Sequence, residues 1–296
     1  WHIIITELRI PRAITALITG MALPVSGLLM QTFFRNPLAG PYVLGISTGA
    51  SLGVAIFSLG GGLGTYAIIS GLGIGTSWGM IIAACIGSLA VMFMIVSISP
   101  KVRDTASLLI IGIMLGSITS AVVSVLQYFS NPNEIQEFLM WTFGNFSGLS
   151  HTEIGIMIGI IIPMLAISFA MQKSLNALLL GENYARGLGV NITRLRYGII
   201  ITASLLAGVI TAFTGPIGFV GMAVPHIART IFKTTNHAIL IATSALIGAH
   251  LVLLCDIISQ LPGYQSTIPI NTVTALFGAP IVIFVIFKSR KSQLSY

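Results

Sequence analysis

Apolar residues fill this chain in long stretches, each closed by a short connection rich in polar residues, glycine or proline. The stretches predict helices over 13–33, 42–59, 79–99, 106–129, 152–171, 197–213, a short 219–232, 238–258 and 271–288. Turn formers lie between them: Asn36-Pro37, the glycine-rich 60–75, Ser99-Pro100, Asn131-Pro132-Asn133, Gly215-Pro216 and Leu261-Pro262-Gly263. Several runs exceed the roughly 18 to 20 apolar residues that cross a bilayer as helix. They are continuous rather than alternating, which argues against a transmembrane barrel. Helix follows because a backbone in hydrocarbon must satisfy its polar groups within its own segment. The predicted fold class is all-α, a polytopic membrane helical bundle, with residues 1–296 forming a single transmembrane domain.

Composition supports lipid as the solvent. Of 296 residues, 55% are hydrophobic and 7% charged, against about a quarter charged in soluble domains. Mean hydropathy is +0.99. The net charge of +7 is not clustered as a nucleic-acid reader would have it, so no nucleic acid is expected as partner. Cys85 and Cys255 both lie in apolar runs, which suggests neither a disulfide framework nor a metal site.

The placement of cations orients the bundle. Alternate connections hold Arg35; Lys101 and Arg103; Lys173, Arg186, Arg194 and Arg196; Arg229 and Lys233; and finally Lys288, Arg290 and Lys291. The opposite connections, 60–78, 130–151, 214–218 and 259–270, hold none. Lysine and arginine favour the cytoplasmic side, so the first set is assigned there. Arg9 and Arg12 lie at the outer mouth of the first helix and depart from the rule. Nine spans with a cytoplasmic C-terminus would put residue 1 outside, and no signal peptide precedes it. One more helix upstream is therefore expected, giving ten spans and both ends in the cytoplasm.

The stretch RIPRAITALITGMALPVSGLLMQTFFRNPLAGPYVLGISTGAS, residues 9–51, is distinctive. Pro24 interrupts an apolar helix, and Asn36-Pro37 ends it where Arg35 meets headgroups. Gly45, Gly49 and Gly53 repeat every four residues, as do Gly112/Gly116 and Gly155/Gly159; that spacing clears a helix face for close packing. Two further blocks stand out, LNALLLGENYARGLGV at 175–190 and GPIGFVGMAVPHIAR at 215–229, the latter followed by His237 and IPINTVTALFGAPIVIFVIF at 268–287. Together these resemble the FecCD/BtuC-type permeases of ABC importers. Gln31, Asn36, Pro37, Leu38, Ala39 and Pro41 match the family pattern in place, and the matches run from residue 9 to about 288. The family's ten helices per subunit agree with an upstream helix.

The resemblance implies roles for particular residues. The connection 173–196 would be a cytoplasmic coupling loop that inserts into an ATPase subunit, with the likeness carried by Leu180, Gly181, Glu182, Ala185, Arg186, Leu188 and Gly189. By spacing, Glu182 and Arg186 can pair, and Leu178, Leu179 and Leu180 form an apolar patch suited to docking. Arg9 and Arg12 correspond to family arginines that meet carboxylates of a substrate-binding protein; a third family arginine is replaced by Gln260. Asp104 or Thr105 reads as a helix N-cap, and the resemblance implies that Thr105 and Ser107 narrow the inner end of the pathway. Asn36, Pro37, Pro225, His226 and Asp256 match family residues of structural character, with Asp256 read as a hydrogen-bonding strut and a proton relay as the alternative. His250 sits mid-span as a packed neutral histidine. The segment 130–151, with Phe138, Trp141 and Phe143, suits an interfacial helix at the outer mouth.

The chain has no GxxxxGK[ST] loop, so it is not expected to be an enzyme. The resemblance implies that ATP and Mg belong to two cytoplasmic ATPase partners, with no cofactor or metal on this chain. The remaining expected partners are membrane lipid, a second copy or close paralogue forming a dimer around the pathway, and a periplasmic or lipid-anchored binding protein. The inner membrane is the implied location. An iron-siderophore or related chelate is the expected cargo, with heme and cobalamin as alternatives. An ion-coupled secondary transporter would need paired ionisable groups at mid-membrane, and an intramembrane enzyme a Ser/His, paired-Asp or His-metal constellation. Neither pattern is present.

Overall fold

The reason for a bundle is visible in which helices are enclosed. A computed structural model describes residues 2–60, 76–102, 104–260 and 268–293. A wide π-helical turn, Ile4–Arg9, leads into α1 (Ile10–Phe34). There follow α2 (Ile46–Ser58), α3 (Thr76–Ile98), α4 (Thr105–Phe129), α5 (Pro132–Thr142) and α6 (His151–Ala170). The short α7 (Gln172–Leu179) and α8 (Glu182–Gly187) precede α9 (Ile192–Thr214), α10 (Val220–Phe232), α11 (His237–Ser259) and α12 (Ile270–Gln293). Most of the glycine-rich connection, Arg103 and Leu261-Pro262-Gly263 lie outside the described residues.

Every helix expected from the apolar pattern is present, but not all reach across a bilayer. Among the described residues six helices are long and apolar enough to cross, while α2, at 13 residues, is shorter. At 13 residues, α10 is about 20 Å long, less than the roughly 30 Å hydrocarbon core. This is the short helix expected over 219–232, and the count of about nine spans is approximate. The interfacial helix expected within 130–151 is α5, begun by a capping box between Asn131 and Glu134.

Most of α1 and α9 is enclosed, whereas α3, α4 and α6 leave most of their surface open. The outward side chains are themselves apolar, among them Phe93 at 72% and Ile118 at 61% exposure. An apolar perimeter of this extent requires lipid or another subunit against it. α1 packs on α11, α9, α10 and α6, and α2 on α3.

Close approach depends on missing side chains. A Cβ on Gly20 or Gly248 would overlap the other helix's backbone, and the same holds for Gly49 against Gly87. Pro24 lies inside α1 and has no N–H to give the Gly20 carbonyl; that oxygen lies against Gly248. Gly155 and Gly159 pack against nothing within this chain, since a Cβ at either would meet nothing within 4 Å. Both lie on the open face of α6.

Candidate functional site

One end of the bundle collects the cationic connections. There the end of α1, the head of α4 and the α7–α8 turn enclose a cavity of about 710 Å³, lined by Arg35, Asp104, Thr105, Leu180, Glu182 and Tyr184 among others. A second cavity of about 410 Å³ adjoins it, with Ser99, Val102, Glu182, Arg186 and Arg196 in its walls.

The segment between α6 and α9 folds as two short helices around Gly181. The Gly181 backbone, φ +116° and ψ +149°, lies in a region that only glycine enters without strain. Leu175 and Leu178 are buried, whereas Leu179 and Leu180 are 45% and 66% exposed. The predicted three-leucine patch therefore loses Leu178, which turns inward because α7 is amphipathic. Ala185 is also buried, as part of the main hydrophobic core, and offers no contact surface. Tyr184 and Leu188 join Leu180 on the exposed side. Arg186 approaches Glu182 at 3.9 Å across one helical turn. Gly189 adopts φ +84° as α8 ends.

Two residues that the sequence reading did not single out fasten this segment. The Asn176 side-chain oxygen accepts from the His237 backbone N–H at 2.9 Å and faces His237 Nδ1 at 2.8 Å. An amide oxygen can only accept, so the proton resides on Nδ1. His237 Nε2 then lies 2.7 Å from the Thr32 hydroxyl on α1. Arg196 is the second: its Nη1 donates to the Ser99 and Val102 carbonyls at 3.1 and 3.0 Å. Its Nη2 lies 3.8 Å from Glu182 Oε1. The only sequence signals were an asparagine inside an apolar helix and an arginine in the first turn of a span.

The structural motif residues meet one another. Asn36 accepts from the Leu38 N–H at 2.9 Å, closing the turn after α1. His226 Nε2 donates to the Pro37 carbonyl at 2.7 Å, beside the helical Pro225 of α10. Gln31 completes the clasp, donating to the Met222 carbonyl and accepting from Arg229 at 2.6 Å. Asp104 caps α4 by accepting from the Ser107 N–H at 2.7 Å and its hydroxyl at 2.8 Å. Ser107 is thus committed to the cap, while Thr105 faces the larger cavity.

At the opposite end the two arginines separate in role. Arg9 is exposed. Arg12, 14% exposed, forms an ion pair with Asp256, Nη2 to Oδ1 at 2.8 Å, and donates to the Ser147 hydroxyl at 2.7 Å. Gln260 donates to the same carboxylate at 2.9 Å. His250, expected to be packed, is exposed in this chain instead, on an outward face of α11, and its Nδ1 donates to the Leu246 carbonyl at 2.8 Å. No group of three or more His, Cys, Asp or Glu able to hold a metal occurs among the described residues.

The model of the FecCD transport family matches residues 1–288. The chain belongs to the FecCD transport family. The vitamin B12 import system permease protein BtuC of Klebsiella pneumoniae is 33% identical over 98% of this chain and 84% of that protein. The BtuC of Salmonella typhi is 34% identical over 98% and 85%. A solved structure of a transporter assigned to the metal-chelate ABC type, in an inward-facing conformation, superposes with TM-score 0.86 at 28% identity, covering 97% of this chain and 88% of that one. PsaBC from Streptococcus pneumoniae, in complex with Fab, superposes at TM-score 0.63 over 93% and 89% but is 16% identical, a likeness of fold alone. As a FecCD member, this chain is a multi-pass permease subunit of an ABC importer in the inner membrane, and ATP hydrolysis is on a separate ATPase subunit. FecCD importers work with ATPase and substrate-binding partners.

Proposed function

We propose that this FecCD permease moves a large metal chelate from a binding protein to the cytoplasm by alternating access, driven through the α7–α8 segment. The supporting observation is the exposed apolar knob formed by Leu180, Tyr184 and Leu188 around Gly181, at the end where the cations gather. A monomeric protein does not ordinarily leave such a patch at the end of a charged loop, and an ATPase groove is the fitting occupant. Glu182, Arg186 and Gly189 set the shape of the knob, and Ala185 packs beneath it. The cationic end is the cytoplasmic one on this reading, in accord with the charge bias.

Two copies are proposed to enclose the pathway, each resting on one ATPase subunit that holds ATP and Mg. Arg9 is the exposed cation available to a binding protein, whereas Arg12 supports the outer rim from within. Thr105 borders the inner end of the route.

For the cargo, the B12 import names of the two relatives favour a corrinoid. An iron chelate is the second reading, favoured by the metal-chelate type of the structural neighbour. Uptake by cells carrying this importer, challenged separately with cobalamin, a ferric siderophore and heme, tests the choice. Loss of cobalamin uptake alone on deletion supports the first reading; loss of iron-chelate uptake alone supports the second. Retention of the ATPase subunit by the wild-type chain but not by Leu180→Asp tests the docking assignment. Equal retention by both overturns it.

A further inference from the structure

The two short helices of the docking segment are held in different ways. α7 is fixed firmly: Asn176 accepts two short hydrogen bonds from His237 and donates to Asn236 Oδ1 at 3.1 Å. His237 is 1% exposed, and Leu175 and Leu178 are buried beside it. α7 is thereby joined to the first turn of α11 and, through Thr32, to α1. α8 is held by the buried Ala185 and by longer ion pairs, with no short side-chain hydrogen bond among the described residues. Glu182 reaches Arg186 and Arg196 only at 3.9 and 3.8 Å, and Arg186 is largely exposed. Between them lies Gly181, in a conformation open to glycine alone.

Arg196 sits where α8 meets the rest of the bundle. A guanidinium is a rigid planar fork, so the orientation of one edge determines that of the other. One edge of Arg196 faces Glu182 on α8, and the other grips the Ser99 and Val102 carbonyls of the turn between α3 and α4. The Arg196 Cζ lies over the Phe33 ring, 5.9 Å from the centroid, and the side chain is 13% exposed. Arg196 thereby links Glu182 of α8 to the segment leading into α4, whose first turn Asp104 caps.

We propose that Arg196 is the positioning residue that makes the head of α4 follow α8, with Gly181 as the hinge between a fixed α7 and a mobile α8. The inference rests on the reading of Leu180–Gly189 as the ATPase-docking segment. A mechanical stroke entering at α8 would then reach α4 through a single side chain.

The test uses the complete importer, with ATPase and binding protein, reconstituted in proteoliposomes. Cargo taken up per ATP hydrolysed is the readout. Lysine keeps the charge but is a point donor without a second, fixed edge. Arg196→Lys is expected to retain the ATPase subunit and hydrolyse ATP at close to the wild-type rate, with uptake per ATP falling about tenfold. A residue serving only as a buried charge would be rescued by lysine, and uptake per ATP equal to wild type overturns the proposal. A second measurement does not depend on that variant folding. With Cys85 and Cys255 replaced, spin labels at Asn183→Cys and Ala106→Cys should keep their separation when an ATP analogue binds, while Asn183→Cys and Lys173→Cys change theirs. The reverse pattern overturns the proposal. If the wild-type chain fails to retain the ATPase subunit, the docking reading itself fails; if docking holds and only coupling is unmoved, Arg196 alone is misassigned.

Discussion

Arg12 of α1 and Asp256 of α11 form a two-point ion pair at the end of the bundle opposite the α7–α8 segment, with Nη2 2.8 Å from Oδ1 and Nε 2.8 Å from the same oxygen. Ser147 accepts from Arg12 Nη1 at 2.7 Å, and Gln260 donates to Asp256 Oδ2 at 2.9 Å. The same two helices interlock at Gly20 and Gly248, and meet again through Thr32 and His237. α1 and α11 are thus clasped at three levels along their length.

Removing one partner of such a pair leaves the other charge uncompensated where water has little access. Asp256→Ala is expected to destabilise the solubilised protein by about 3 kcal/mol. The double variant with Arg12→Ala should lose less than the two single losses combined. A double-mutant cycle on thermal unfolding measures the difference; strict additivity would mean that the pair contributes no coupling.

Gly248→Ala places a methyl group into the Gly20 backbone and the Pro24 ring, neither of which yields easily. The expected cost is about 1–3 kcal/mol. Gly155→Ala and Gly159→Ala meet open space and should change stability by about 0.5 kcal/mol or less. Comparing the three unfolding midpoints checks the contrast.

Gly181→Ala forces an L residue into φ +116°, a strain of about 1–3 kcal/mol, relieved by reshaping the turn. Uptake and ATPase retention should both fall. Gly187→Ala has nothing within 4 Å of its added methyl group, so pull-down and transport assays should score it near wild type.

Asn176→Leu leaves the His237 backbone N–H and Nδ1–H without their acceptor. The loss should be about 1–3 kcal/mol. Amide hydrogen exchange in the first turn of α11 should accelerate while the outer half of that helix stays protected. Unchanged exchange at His237 would remove the anchoring role of α7.

The Asp104 carboxyl is held below its usual value of 3.8, first by the Ser107 backbone N–H and then by the Ser107 hydroxyl. Because the folded value is the lower one, the cap's contribution is complete above the unfolded value and disappears as pH falls through the folded value. Exchange at the Ser107 amide should accordingly be protected equally well at pH 6 and pH 8 after correction for intrinsic rates, and lose protection in strong acid. Asp104→Asn, an uncharged cap of similar strength, should abolish that acid sensitivity.

Hydropathy and charge placement were sufficient to locate the helices, their class and the sidedness expected of them. Hydrocarbon leaves a backbone no alternative to internal hydrogen bonding, and cations stay at the ends, so both constraints act locally and appear in order along the chain. The motif blocks likewise revealed the family and pointed to 173–196. Partner choice was not legible. Arg12 and Asp256 are 244 positions apart and Asn176 and His237 are 61 apart; no local pattern joins them. Whether Leu178 turns inward, whether Gly155 touches anything and which arginine is exposed were decided only by packing. Helix faces acquire neighbours when the bundle assembles, and a sequence records the faces without the neighbours.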